Sequence, residues 1–305
     1  MIDLCDVVVD RVELVRQYMP EFLNNSTKFV DIRNLTKEYD NPSVVFCFSD
    51  LFKYCDLMSN LRHLKNPFVL VTNLRCDPFT RDVLDHLLTN VNPNIIRVYA
   101  KNLTFFDHQK ARPVAVGMCH AMTDTDQKRI FLDRLVNSVD VFKKSNDIFF
   151  NFTISTAPDR RQTCHDIVSS KGVPCINSIQ NSEEYFRMLS TYKFAISPEG
   201  YGIDCYRIWE CVFLKVIPVC VRSPQTEYYS RLFPIFVLDK WEDFDPHSLP
   251  DYDTFIRSAT PPPGMGCGGV ITKMSELREL ITRDMSFSTI TTSPKIVPPK
   301  ITPRS

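Results

Sequence analysis

Along this chain short apolar runs alternate with stretches of helix length. The runs fall at residues 28–32, 44–48, 68–72, 95–99 and 112–116, and amphipathic segments such as 79–90 lie between them. Runs of about five residues are strand-sized, and their regular alternation with helical segments predicts β-α-β units around a mainly parallel sheet. A charged helical stretch over 125–146 follows, and then the alternation restarts. The second series predicts strands at 147–154, 173–177, 194–197, 217–221 and 235–238. Its helices are expected at 160–170, 182–191, 204–214, 223–231 and 274–283. Ser182 is the expected N-cap of one of them, with Tyr185, Met188 and Leu189 on a single face.

The chain therefore divides near residue 145 into two α/β units, 1–145 and 146–285. A length of 305 residues suits two domains rather than one. The remaining segment, 286–305, is rich in Ser, Thr and Pro and cannot build a core of its own.

Composition narrows the classes of partner. Thirty-six basic and 36 acidic residues cancel, so the chain lacks the clustered positive charge that a nucleic-acid backbone demands. Eleven cysteines are scattered without a Cys-x-x-Cys pair, which gives no zinc-ligand spacing. Several sit in apolar runs (Cys47, Cys175, Cys220), where a thiol acts as a small hydrophobe, as expected in a reducing compartment. The first residues carry acids early and no long apolar run, unlike a secretion signal, and no window is apolar for ~18 residues. The expectation is a soluble cytoplasmic chain with no membrane span.

One stretch, AISPEGYGIDCYRIWECVFLKVIPVCV at 195–221, carries the sharpest chemistry. A strand ends at Ser197-Pro198-Glu199, a loop holds Gly200 and Gly202, and a helix follows with Asp204, Arg207 and Glu210. In open α/β sheets ligands bind beyond the carboxyl ends of strands. Glycines let the backbone come close to a ligand, and a helix N-terminus offers N–H donors to an anion. Arg207 and Glu210 are three apart and share a face, fit for a diphosphate and a ribose respectively. Against this stands a plain surface ion pair beside a turn. The apolar neighbours Ile208, Trp209, Val212 and Phe213 argue for a buried helix instead.

Other polar groups follow predicted strands. FVLVTNLRCDPFT, 68–80, places Asn73, Arg75 and Asp77 after a strand, where Asp77 can serve as a general base or simply cap the helix that Pro78 begins. Asp50 has a similar place in VFCFSDLF. In 99–117, Asn102, His108 and Lys110 lie between two strands, lining either a cleft or a solvated loop. In NFTISTAPDRRQTCH, 151–165, Thr156, Arg160 and Arg161 stand at a helix start. The glycine-rich PPPGMGCGGV, 261–270, has no preceding strand and no Lys-Ser/Thr, so it reads as a loop rather than a phosphate cradle.

KFAISPEGYGIDCYRIWECVFLKVIPVCV resembles the signature of exostosin-like glycosyltransferases: a strand, a Ser/Pro-x-Gly loop, an Arg-x-x-Glu helix, then Ile-Pro-Val. The longer pattern resembles the small transferases of large DNA viruses, of the chlorovirus xylosyltransferase type. FVLVTNLRCDPFT, VYAKNLTFFDHQKARPVAVG and FFNFTISTAPDRR are similar to segments of that group, and the likeness spans roughly residues 40–225. There are departures. The usual Asn-Ser-Asp is Arg-Cys-Asp here, although Asp77 is kept, and Gln-Asn is Lys101-Asn102. Tyr201 and Tyr206 stand where Asn and His are common.

The resemblance implies an α/β GT-B architecture, two Rossmann-like doubly wound domains facing across a cleft. It implies inverting transfer of a sugar, xylose in the most similar group, from a UDP-linked donor to a glycan hydroxyl, in the host cytoplasm if the chain is viral. Asp77, or alternatively Asp50, would be the base. Thr156, Arg161, Ser197, Pro198, Glu199, Gly200, Gly202, Asp204, Arg207 and Glu210 would bind the donor. Asn73, Asn102, His108 and Lys110 would face the acceptor. No metal and no further cofactor are implied. Two alternatives remain: a nucleotide-sugar- or carbohydrate-binding pseudoenzyme, and an unrelated Rossmann oxidoreductase, which lacks its Gly-x-Gly-x-x-Gly in this chain.

Overall fold

Two parallel sheets organise the chain in a computed structural model. Residues 7–10, 29–31, 44–47, 59–72, 77–117, 126–138 and 143–258 are described. Asp50, Asn73, the 261–270 loop, the expected 274–283 helix and the 286–305 segment lie outside the described residues.

The first sheet holds β1 (Val7–Asp10), β2 (Phe29–Asp31), β3 (Val44–Cys47), β4 (Phe68–Thr72), β5 (Ile95–Ala100) and β6 (Ala111–Pro113), in the order β2-β1-β3-β4-β5-β6. The second holds β7 (Asn146–Phe149), β8 (Tyr192–Ile196), β9 (Ile217–Val221) and β10 (Phe236–Leu238), in the order β10-β9-β8-β7. Every pairing within both sheets is parallel. Every residue of β4 is buried, which explains its unbroken FVLVT apolar run: a parallel strand covered on both faces has no polar side.

Alternate residues then feed different cores. In β8, Phe194 and Ile196 join one cluster with Ile217, Val219 and Trp241, while Ala195 joins the opposite one with Leu189, Cys211 and Leu214. In the first sheet Phe68 and Leu70 pack with Phe79, Leu84 and Leu87.

The helices are α1 (Arg81–His86), which continues as a π-turn over Leu87–Val91, α2 (Asp126–Val136), α3 (Pro158–Ser170), α4 (Ser182–Ser190), α5 (Tyr206–Phe213), α6 (Pro224–Ser230) and α7 (Tyr252–Ser258). Their starts correct several sequence expectations. Thr80, not Asp77, caps α1, its hydroxyl accepting from the Val83 amide. Asn181 rather than Ser182 caps α4, accepting from the Glu184 amide at 2.9 Å. Residues 173–177 form no strand. The Ile176 amide does bond to the Phe150 carbonyl, but one such bond is no ladder. The strand expected over 147–154 stops at Phe149, and Ile154–Thr156 is a 3-10 turn.

A fourth apolar cluster joins the two sheet units. Ala115, which follows β6, packs with Cys205, Ile208, Trp209 and Tyr229 of the second unit. Phe106 stacks on Tyr228 with ring centroids 4.0 Å apart and planes 6° from parallel. This seam brings the carboxyl ends of β5 and β6 up to the loop that follows β8.

Candidate functional site

β8 delivers the chain to Ser197, which turns inward: it is buried, and its hydroxyl donates to the Ala195 carbonyl. The loop then folds back on itself, with the Gly200 amide donating to the Gly202 carbonyl at 3.2 Å. Both glycines are there for space. A Cβ on Gly200 would lie 3.3 Å from Arg161 Nη2, and one on Gly202 would lie 2.8 Å from Asn102 Oδ1. The loop backbone is therefore pressed against α3 on one side and the first sheet unit on the other.

α5 follows. Ile208, Trp209 and Cys211 bury its apolar face, and Cys205 provides no side-chain cap. Asp204, just before the helix, is a brace between the two units rather than an open ligand group. One carboxylate oxygen accepts from the Val116 amide at 2.8 Å and the other from Trp209 Nε1 at 2.7 Å. The Asp204 amide in turn donates to Asn102 Oδ1. Burial pushes the Asp204 carboxyl up to about 7, opposed by those two hydrogen bonds and by the Lys101 charge.

Arg207 and Glu210 share the inner face of α5, as their spacing predicts, and both are almost wholly buried. Glu210 Oε2 accepts a 2.6 Å hydrogen bond from the Tyr185 hydroxyl. The Arg207 guanidinium lies 5.3 Å over the Phe149 ring and 5.2 Å over the Tyr185 ring. Its Nε stands 3.6 Å from Glu210 Oε2, too far for a hydrogen bond, and has no hydrogen-bond partner among the described residues. Burial works against the Arg207 charge, but Tyr185 and Glu210 raise its pKa above the ordinary guanidinium value. Burial shifts the Glu210 carboxyl up, against the Arg207 charge and the Tyr185 hydroxyl. The guanidinium is thus held by the Glu210 carboxylate and by the Ile196 carbonyl, which accepts from Nη1 at 3.4 Å, and it offers its remaining N–H groups to an anion in the cavity.

These groups line a cavity of about 560 Å³, within the usual range for small-molecule sites. Thr156, Arg161, Pro198, Gly200, Gly202, Asp204, Arg207 and Glu210 all contribute to it, as does Val116 from the first unit. Arg161 is held in place by its Nε on the Glu199 carbonyl and its Nη1 on the Thr153 carbonyl. Glu199 faces elsewhere, its carboxylate bonded to Arg160 at 2.6 Å. Sequence reasoning overlooked Tyr185, which the helical period of α4 marks only as a core position, and Phe152, whose ring lies under Arg161 at 5.6 Å. A second cavity, about 390 Å³, shares the Asn151, Thr153, Tyr185 and Glu210 wall.

The acceptor-side candidates divide. Asn102 reaches the site through Asp204 and Gly202. Asp77 is half-buried, two residues before Phe79, whose amide donates to the Asn102 carbonyl at 2.8 Å. That places Asp77 at the carboxyl edge of the first sheet, although it does not line the cavity. His108 and Lys110 lie toward the other end of β5. Lys110 Nζ donates to the Ile95 carbonyl at the start of that strand, and His108 Nδ1 accepts from the Lys110 amide. Neither is brought to the cavity.

No family model and no curated protein matches the chain. Among solved structures, OtsA in its apo form aligns over 88% of this chain and 76% of that one, at 9% identity and a TM-score of 0.35. So loose a likeness carries no argument about function, which rests on the site.

Among the described residues no group of three or more His, Cys, Asp or Glu is placed to hold a metal ion. Of three Asp-x-Asp spacings in the sequence, that at Asp124–Asp126 begins outside the described residues, and those at Asp243–Asp245 and Asp251–Asp253 follow β10 and stay outside the cavity. No described helix is long and apolar enough to cross a membrane.

Proposed function

We propose that the chain is a glycosyltransferase of GT-B type that binds a nucleotide-sugar, UDP-linked, in the cavity beside α5. The observation that carries this reading is the Arg207 guanidinium, held over the Phe149 and Tyr185 rings and lining the cavity beside the N-terminal turn of α5. With Arg161 across the cavity, it forms a receptor for a diphosphate. Glu210, facing the same space, would accept from ribose hydroxyls. In this reading residues 1–145 form the acceptor domain and 146–285 the donor domain, two Rossmann-like units facing across a cleft.

The reaction would be inverting. Asp77 would take the proton of an acceptor hydroxyl, whose oxygen forms a bond to the anomeric carbon as the bond from that carbon to the diphosphate breaks. Arg207 and Arg161 would stabilise the charge that grows on the leaving diphosphate, with no metal in that role. A glycan would be the acceptor and xylose one candidate sugar.

Calorimetric titration with UDP tests the donor site. Arg207→Ala and Glu210→Ala should both weaken binding, while Asp77→Asn should spare it and abolish transfer. Unchanged affinity in both helix variants would sink the assignment. A second reading, a nucleotide-sugar-binding protein without transferase activity, is favoured by the position of Asp77 outside the cavity lining. Release of UDP from a UDP-sugar in the presence of acceptor glycans separates the two.

A further inference from the structure

The loop between β8 and α5 is held on both sides of a single outward-facing residue. Gly200 abuts Arg161 and Thr156, Gly202 abuts the Asn102 carboxamide, and the Gly200–Gly202 hydrogen bond closes the turn. Tyr201 stands between them. Its backbone has little room to move inward, and the residue is 68% exposed. Tyr206, on the first turn of α5, is 44% exposed. Both line the cavity that holds Arg207 and Glu210. Among the described residues the other large exposed hydrophobic side chain is Ile130, which is not part of that cavity.

An aromatic ring at the rim of a polar cavity presents a flat, electron-rich face to whatever occupies the mouth. It gives up few torsions when covered, so contact with it is entropically cheap. A pyranose ring is the matching shape: one face of polarised C–H groups for the aromatic ring, with hydroxyls around the edge for water and polar side chains. A bare phosphate would gain nothing from this surface.

We propose that Tyr201 is a stacking platform for a pyranose ring at the mouth of the cavity, flanked by Tyr206, and so a determinant of which sugar is bound. The inference rests on the nucleotide-sugar reading of the cavity. The pyranose is either the sugar of the donor or a residue of the acceptor, since both would pass the same rim.

The test is calorimetry on the full chain with UDP, UDP-glucose and UDP-xylose, and with cellobiose and xylobiose in the presence of UDP. Tyr201→Ala should leave UDP affinity within about twofold and weaken at least one sugar-bearing ligand by about tenfold, while Tyr201→Phe keeps the parent values. A loss confined to the UDP-sugars assigns the ring to the donor, and one confined to the disaccharides assigns it to the acceptor. Parent-like binding of every sugar by Tyr201→Ala overturns the platform, as does an equal loss in Tyr201→Phe. If the parent chain fails to bind UDP yet binds a disaccharide in a Tyr201-dependent way, the nucleotide reading falls and the platform stands. If it binds neither, both fall.

Discussion

The side-chain oxygen of Asn102 accepts a hydrogen bond from the backbone amide of Asp204 at 3.1 Å, tying the end of a first-sheet strand to the start of α5. Asn102 reaches this position with a φ of 52°, a left-handed conformation that Asn tolerates better than most residues. Gly202 sits directly against its carboxamide. Gly202→Ala should therefore force the carboxamide away and break the bond, costing about 1–3 kcal/mol in urea denaturation. Asn102→Gly keeps the backbone conformation and removes the obstacle. The double variant should then lose clearly less than the sum of the two single losses, and strict additivity would show that the two residues do not meet.

Asp204 makes the same joint sensitive to pH. Its folded-state pKa lies near 7, raised from 3.8 chiefly by burial. The native chain thus holds a proton that the unfolded chain has already released, and the stability this group contributes is complete below about pH 4 and lost as pH rises through 7. Asp204→Asn cannot ionise. Its stability relative to the parent should be poorest near pH 4 and improve steadily toward pH 8, by up to a few kcal/mol. Guanidinium midpoints across that range measure the difference, and a constant gap would mean that Asp204 ionises normally in the folded chain.

The alternation of short apolar runs was sufficient to read parallel sheets, because strands covered on both faces leave an unbroken hydrophobic signature, as FVLVT does in β4. The α5 site was legible for a related reason. Arg207 and Glu210 lie three apart on a helix whose other positions are apolar, so burial and shared orientation follow from period alone. The brace formed by Asp204 was not legible, because its partners Val116 and Asn102 are long-range and no local pattern encodes them. Lys110 misled because a loop residue between two strands can turn to either end of the sheet, and its ammonium found the Ile95 carbonyl. Tyr185 was hidden by its own helical period: a ring that packs like core also places its hydroxyl on Glu210.

That hydroxyl gives a third prediction. Tyr185→Phe removes a 2.6 Å hydrogen bond from a buried carboxylate already pushed up by burial, which should cost about 1–3 kcal/mol and raise the Glu210 pKa further. If ionised Glu210 accepts from ribose hydroxyls, UDP affinity falls as pH drops through its pKa. The variant should show that fall at higher pH than the parent in titrations from pH 5 to 8. Superimposable curves would separate Glu210 ionisation from nucleotide binding.

Gly200 offers the last test, because it acts on the cavity without touching the joint. An added Cβ would stand 3.3 Å from Arg161 Nη2 and 3.7 Å from Thr156 Cγ2. To make room the guanidinium must shift by a few tenths of an ångström, bending the bonds of its Nε and Nη1 to the Glu199 and Thr153 carbonyls. The Gly200 backbone is not in the left-handed region, so the substitution should cost the fold little, within roughly 1 kcal/mol. Its effect should appear in binding instead: Gly200→Ala should weaken UDP about three- to tenfold by displacing Arg161, and Arg161→Ala should weaken it more. Once Arg161 is gone the added methyl has little left to displace, so Gly200→Ala in the Arg161→Ala background should change UDP affinity by less than about twofold. A full, additive loss in that background would mean that the loop backbone at Gly200, and not Arg161, makes the contact with the nucleotide.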